Sequence, residues 1–163
     1  MSKESIKEID SRLKAAEDAE REQLMKAYAP DDRAGVQKLL EKYRKQKEKL
    51  LAEKERLAKM RQYEEKYADH AFICGIDEVG RGPLAGPVVA GAVILPKECE
   101  ILYINDSKKL SAAKRDELYD EIMDKAVAVG LGMASPARID EINILQATYE
   151  AMRMAIKNLK VTP

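Results

Sequence analysis

Cysteine, histidine and aromatic residues are scarce in this sequence. There are two cysteines and one histidine, and aromatic residues make up 5% of the chain. Cys74 and Cys99 are too few for a disulfide framework, and neither has cysteine or histidine neighbours at metal-ligand spacing. We interpret both as reduced and structural, because free cysteine commonly behaves as a small hydrophobe. His70 precedes the first predicted strand, so we expect it at the surface or at a boundary.

Long apolar runs are also absent. No run approaches the roughly 18 residues that a membrane-spanning helix needs. Residues Met1 to Ser5 lack the basic and then apolar regions of a secretory signal, so we expect a cytoplasmic protein. Charged residues make up 36% of the chain, which is typical of a protein rich in exposed helix.

Charge is unevenly distributed, although basic and acidic residues balance over the whole chain. Residues 1–32 carry a net charge of −3, residues 33–70 carry +5 and residues 71–163 carry −2. Only the middle segment is basic, and segment asymmetry of this kind can indicate a partner.

Residues 1–70 are predicted to form an α-helical hairpin. Apolar residues recur at helical spacing from Ser5 to Tyr28, and Ser5 with Glu8 makes a capping-box pattern. The segment APDD then ends the first helix, because proline removes a donor and aspartate caps the next helix. A second helix is predicted over residues 33–67.

The pattern changes at residue 71, where apolar runs bounded by glycine and proline begin. Residues 72–76 and 88–95 are predicted to be buried strands, and the link 80–87 is short enough for an antiparallel hairpin. A helix is predicted from Ser111 to residue 126, followed by a third strand over residues 127–134.

The remaining chain is predicted to be helical. Ser135 and Pro136 form an N-cap with proline at the first helical position, and a break is expected near Asn143. Residues 71–163 are therefore predicted to form an α/β domain with a mixed sheet, and the helical hairpin precedes it. Three strands would leave one sheet edge bare.

Adjacent carboxylates stand out beside the first strand. Asp77 and Glu78 follow buried residues, where paired carboxylates are costly unless a cation compensates them. Hard oxygen ligands suit Mg²⁺ or Mn²⁺. Successive side chains of a strand point to opposite faces, so both reach one ion only if the strand ends or twists there. The alternative is a solvated strand end.

Three ordered motifs carry a resemblance to the ribonuclease HII family. They are GIDEVGRGPLAGPVVA at residues 75–90, DSKKLS at 106–111 and IDEINI at 139–144, the last followed by a helix. The resemblance covers residues 71–163, and we find no motif that assigns a task to residues 1–70.

This resemblance implies an incomplete ribonuclease H-like domain and a hydrolase. Its substrates would be the RNA strand of RNA/DNA hybrids and single ribonucleotides embedded in duplex DNA, as encountered in DNA replication and repair. Two ions of Mn²⁺ or Mg²⁺ would align water and the leaving oxygen, and the products would carry 3′-hydroxyl and 5′-phosphate ends. Asp77 and Glu78 would be the catalytic metal ligands.

The resemblance also implies two groups of nucleic-acid contacts. A loop that reads the ribose 2′-hydroxyl would consist of Gly80, Arg81 and Gly82. Phosphates would be contacted by Ser107, Lys108 and Lys109. The alternatives from the residues alone are a simple turn and a solvated helix-entry loop.

Two further acids, Asp140 and Glu141, are predicted to lie at a helix start and to complement its dipole, rather than to bind metal.

The family's site needs four carboxylates. Its third and fourth aspartates, and a tyrosine that stacks on a sugar, lie on chain that follows the second long helix, which is predicted here to end near Lys160. We therefore expect a truncated polypeptide, from a shortened gene, a split gene or a cloning boundary, that is inactive alone. A complete protein is expected to be a monomer.

Two other interpretations remain open. The basic helix 33–70 could grip nucleic acid while the α/β part serves as a scaffold, or the hairpin could be a protein-interaction arm. Interleaved acids weaken the first of these, because they indicate a mixed, solvated face. They are Glu41, Glu48, Glu53 and Glu55.

Overall fold

The computed structural model describes residues 4–83 and 85–163. Residues 1–3, on which the export prediction partly rests, and Leu84 in the first motif lie outside the described residues. The chain forms two compact units, Met1–Arg56 and Leu57–Pro163. The domain boundary predicted between residues 70 and 71 stays a prediction. No helix in the described part of the chain has both the length and the apolarity that crossing a membrane requires.

Helices precede the sheet, as predicted. They are α1 (Ile6–Ala15), α2 (Asp18–Tyr28), α3 (Ala34–Met60) and α4 (Gln62–Lys66). The predicted capping box is present at the start of α1. The Ser5 hydroxyl accepts from the Glu8 amide, and the Glu8 carboxylate accepts from the Ser5 amide at 2.8 Å.

The prediction of one helix from Ser5 to Tyr28 is wrong, because α1 ends at Ala15 and α2 begins at Asp18. Ala16 is extended, with ψ 142°, so the helical hydrogen bonding of α1 ends there. Arg21 stabilises this break by donating to the carbonyl oxygens of Leu13, at 2.7 Å, and Ala16. Side-chain bonds of this kind occupy carbonyls that a helix end leaves unpaired.

The core of the helical unit lies between α1 and the first half of α3. Its buried residues are Ile9, Leu13, Val36, Leu39, Leu40 and Tyr43. Three residues of α2 pack beside this core without being fully buried: Leu24, Met25 and Tyr28. Helix α2 itself contains no buried residue. Helix α2 therefore packs on the surface of this core rather than forming part of it.

A three-stranded sheet forms the centre of the second unit. Strands β1 (Cys74–Val79), β2 (Val88–Ile94) and β3 (Ala128–Ala134) lie in that order, and both pairings are antiparallel. The antiparallel β-hairpin predicted from the short link 80–87 is confirmed, because β1 pairs with β2. The predicted mixed sheet would require a parallel pairing, and within residues 4–83 and 85–163 the sheet has none. The first strand also begins and ends later than residues 72–76.

The helices of this unit that follow α4 are α5 (Ala112–Lys125), α6 (Pro136–Ile142) and α7 (Ile144–Lys157). The predicted N-caps are confirmed, because Ser111 accepts from the Lys114 amide and Ser135 from the Arg138 amide. The predicted break is also present. Asn143 has φ 68° and its side chain caps α7.

Helix α7 covers one face of the sheet at very short range. Small residues line both sides of this contact: Val88, Ala90, Ala92, Ala134, Ala147, Ala151 and Ala155. A Cβ at Gly130 would collide with the Ala155 carbonyl, and one at Gly132 would collide with the Ala151 carbonyl. The backbones of β3 and α7 are therefore in contact.

The opposite face of the sheet, which we call the outer face, is open in this structure. Val79 is 69% exposed, Leu131 62% and Met133 55%. The strand order leaves β1 and β3 as edges. An apolar face and unpaired edges are features that proteins usually cover.

Candidate metal and nucleic-acid site

Asp77 and Glu78 lie within β1 rather than beyond its end. Asp77 pairs with Gly91 and Glu78 with Ala90 across the β1–β2 ladder. Because strand side chains alternate, Glu78 shares the face of buried Ala90, whereas Asp77 lies on the outer face. The prediction that the strand ends before this pair is therefore wrong, since β1 continues through Val79.

The two carboxylates differ in exposure, because Asp77 is exposed and Glu78 is half-buried. The Asp77 carboxylate accepts from the Glu78 amide at 2.9 Å, which turns it toward its neighbour. Glu78 Oε1 lies 3.4 Å from Arg81 Nη1. The Arg81 side chain is 49% exposed and the Glu78 side chain 21%, so water screens this ion pair only in part.

The turn after β1 depends on Gly80, whereas Gly82 does not have the same constraint. Gly80 has φ +91°, and a Cβ there would collide with the Pro87 carbonyl. A Cβ at Gly82 would meet no atom of the described residues within 4 Å. Packing therefore explains why residue 80 is a glycine, whereas the space beside Gly82 is open to an approaching molecule.

The second predicted group forms a single turn of 3-10 helix, Ser107–Lys109. The Asp106 carboxylate caps it by accepting from the Lys108 amide at 2.9 Å. All three residues of the turn are exposed. In the described chain, the Lys108 and Lys109 ammonium groups have no ion-pair partner, so both are available to an anion.

Sequence reasoning did not single out Arg115, which holds this turn in place. Its Nη1 donates to the Leu110 carbonyl at 2.8 Å and to the Ser107 carbonyl at 3.4 Å. Only its position one turn into α5 could have indicated this, because arginine there can reach back to the preceding loop. No hydrogen bond or ion pair of the described residues joins this turn to the β1–β2 hairpin.

Asp140 and Glu141 are not at a helix start, so the predicted complement to a helix dipole is wrong. They lie in the last turn of α6, where acids oppose the helix dipole. Arg138 compensates Glu141 at 2.8 Å and also pairs with Glu150 of α7 at 2.9 Å. The described residues contain no cluster of three or more His, Cys, Asp or Glu able to hold a metal. These acids therefore do not join Asp77 and Glu78.

The cysteines and the histidine lie apart from this chemistry. Cys74 and Cys99 are free thiols and half-buried. Burial raises the pKa of the Cys74 thiol, which disfavours the reactive thiolate. His70 is exposed, with its ring centroid 6.0 Å from that of Tyr67. It occupies the surface position expected from the sequence.

Known proteins similar to this chain extend the resemblance to its first residues. A family model described as Ribonuclease HII N-terminal domain matches residues 5–68, and one described as Ribonuclease HII matches residues 74–163. The helical unit, for which the sequence offered no motif, therefore matches a domain of the same family.

Individual relatives agree with these matches. Ribonuclease HII of Lachnoclostridium phytofermentans is 67% identical over 136 residues, covering 83% of this chain and 54% of that protein. Ribonuclease HII of Enterococcus faecalis is 51% identical over 167 residues, covering 100% of this chain and 64% of that protein. The crystal structure of the ribonuclease H2 from Pyrococcus horikoshii OT3 is 28% identical, with a TM-score of 0.45, over 56% of this chain and 46% of that one.

The chain spans 54% and 64% of the length of the two curated relatives. Together the two family models match residues 5–163 of this chain, except for residues 69–73. The chain therefore belongs to the ribonuclease HII family.

Proposed function

We propose that this chain supplies the metal-binding and ribose-reading part of an endoribonuclease. Its substrates are the RNA strand of RNA/DNA hybrids and single ribonucleotides embedded in duplex DNA. The observation that best supports this is the β1–β2 hairpin. It carries Asp77, Glu78 and Arg81 together, within the segment that the ribonuclease HII model matches.

The residues present fit a divalent cation in kind and in number. Mg²⁺ is usually held by one or two carboxylates with substrate phosphates and waters, and Asp77 with Glu78 provides that donor set. Asp77 lies on the outer face of β1 and Glu78 on the opposite face, so the two carboxylates converge on one ion only where the end of β1 twists into the Gly80 turn. Bound Mn²⁺ or Mg²⁺ would supply Lewis-acid activation of water and stabilisation of the leaving oxygen.

The basic and glycine residues account for substrate recognition in this proposal. Arg81 leaves Glu78 to contact a phosphate, while the backbone around Gly80 and Gly82 approaches the ribose 2′-hydroxyl. On the second turn, Ser107 donates its hydroxyl and the two neighbouring lysines donate their ammonium groups to phosphates. Such contacts fix the register of a duplex without reading its sequence.

We expect the 163-residue polypeptide to cleave weakly at most. Two carboxylates at one strand cannot position two ions and an attacking water, and the described residues bring no third acid to them. We further propose that the protein acts in the cytoplasm, in DNA replication and repair, and that it is a monomer.

The test combines metal binding with cleavage. Asp77→Asn should weaken Mn²⁺ binding at least about tenfold, measured by paramagnetic relaxation of water protons. Asp116→Asn is the matched control, because Asp116 is an exposed acid of α5 without an ion pair among the described residues. If both variants bound Mn²⁺ with equal affinity, Asp77 would not be a metal ligand.

Cleavage of a duplex with one embedded ribonucleotide gives the second measurement, in Mn²⁺ and in Mg²⁺. Weak or absent cleavage is the expected result. Robust cleavage that Asp77→Asn abolishes would support the nuclease assignment and contradict the expected inactivity. Robust cleavage that survives Asp77→Asn would overturn the assignment of Asp77.

The alternative is a non-catalytic module in which the basic segment 33–70 binds nucleic acid. This segment is predicted as one helix, but the structure ends α3 at Met60 and forms α4 separately over Gln62–Lys66. The structure gives this module less support than the charge count does, because several cations of α3 are already paired. Lys42 lies 3.6 Å from Asp10, Lys45 lies 3.3 Å from Glu41 and Lys47 lies 2.8 Å from Glu22. Paired cations add little to phosphate binding.

A further inference from the structure

An open groove of about 500 Å³ lies between α2 and α3 of the helical unit. It is distinct from the hairpin that carries Asp77 and Glu78, so a role for it does not depend on nuclease activity. Apolar side chains form its floor, mainly Met25, Leu50 and Leu51. Leu51 is 50% exposed, so part of this apolar floor is open to solvent.

The rim of this α2–α3 groove is strongly basic. Five basic and two acidic side chains line it. Both acids are already engaged, since Asp18 pairs with Arg21 at 2.6 Å and Glu22 pairs with Lys47 at 2.8 Å. The groove therefore faces solvent with an excess of positive charge.

Two of the rim cations are free. In the described chain, Arg44 and Lys54 make no hydrogen bond or ion pair through their side chains, and both are exposed. They lie 10 residues apart on α3, which corresponds to about 15 Å along a helix. The apolar floor around Leu50 and Leu51 lies between them along the helix.

This arrangement fits a protein segment better than a nucleic acid. A duplex backbone presents a continuous row of phosphates and has no apolar group for Leu50 and Leu51. An amphipathic helix, in contrast, places apolar side chains in a groove and charged ones along its rim.

We propose that the α2–α3 groove is a docking site for an acidic amphipathic segment of a partner protein. Its apolar side chains lie over Met25, Leu50 and Leu51, and its carboxylates pair with Arg44 and Lys54. The apolar contacts provide affinity, and the two separated cations fix the position of the segment along α3.

A synthetic helical peptide tests this proposal with the full chain. The probe is a labelled peptide of about 16 residues, with leucine on one face and glutamate along its flanks, long enough to be helical. Fluorescence anisotropy should show saturable binding. Two control peptides, with lysine for glutamate or alanine for leucine, should bind at least about tenfold more weakly.

Matched charge reversals locate the site. Arg44→Glu with Lys54→Glu should weaken binding of the acidic peptide at least about tenfold. Lys38→Glu with Lys49→Glu is the control, because these exposed lysines of α3 also lack ion pairs in the described chain and lie outside the groove lining. The control should change the affinity by no more than about twofold.

Several results would overturn the proposal. They are no binding of the acidic peptide, an equal loss in both charge-reversed proteins, or displacement of the peptide by duplex DNA. Circular dichroism checks that each variant is folded. Leu51→Ser gives a second variant with the charges intact, and its exposed position should leave the fold unchanged while the peptide affinity falls.

Discussion

The two compact units differ in what lies between their elements. In the helical unit, long side chains carry hydrogen bonds from one segment to another. Tyr28 donates to Glu4 at 2.6 Å, and Tyr43 donates to Asp10 at 2.9 Å. In the second unit the Arg138 side chain also joins α6 to α7, but α7 lies directly on the strands with alanine and glycine between. Long side chains can adjust their rotamers, whereas backbones in contact cannot move independently.

The largest loss of stability is expected from a substitution where the backbones of β3 and α7 are closest. Gly132→Ala places a Cβ against the Ala151 carbonyl of α7, so we expect a loss of about 3 kcal/mol in the free energy of unfolding. Urea denaturation followed by circular dichroism measures it.

A matched glycine on the neighbouring strand provides the control. A Cβ at Gly91 would lie 3.8 Å from the nearest atom of Leu131, an ordinary contact. Gly91→Ala should therefore change the free energy of unfolding by less than about 0.5 kcal/mol. Equal losses in the two variants would show that strand glycines matter for their flexibility rather than for the approach of α7.

Local features of the fold could be predicted from the sequence, and contacts between distant segments could not. The N-caps at Ser111 and Ser135 and the break at Asn143 each depend on residues within one turn. The end of α1 depends on Arg21, whose side chain reaches back to Leu13, so helical periodicity alone did not reveal it.

The same distinction applies to the candidate site. Motifs identified Asp77 and Glu78 as a pair, because family signatures are contiguous in sequence. Their placement on opposite faces of β1 depends on how far the ladder with β2 extends, and this is a property of strand pairing. The role of Arg115 depends on the path of the loop that it holds.

A smaller effect is expected from one hydrogen bond of the helical unit. Tyr43→Phe removes the bond to Asp10, so we expect a loss of about 1 kcal/mol in the free energy of unfolding. Tyr63→Phe is the control, because Tyr63 is exposed and its hydroxyl has no partner among the described residues. If the two variants had the same free energy of unfolding, the hydrogen bond of Tyr43 would not stabilise the helical unit.

The smallest effect is expected at the exposed pair of Glu22 and Lys47. Glu22→Gln should lower the free energy of unfolding only slightly, and the loss should vanish at high salt, because water and ions screen such pairs. Denaturation of Glu22→Gln at low and high salt measures this, with Glu48→Gln as an exposed acid without an ion pair among the described residues. A cost that persisted at high salt would contradict this account.

Strand β3 has one further consequence, for labelling. Successive positions along it alternate between Gly130 and Gly132, where no side chain fits, and Leu131 and Met133, which are open on the outer face. A fluorophore attached at position 131 or 133 would therefore leave α7 undisturbed and still lie within the sheet. Its emission would report directly on any molecule that comes to lie on the outer face.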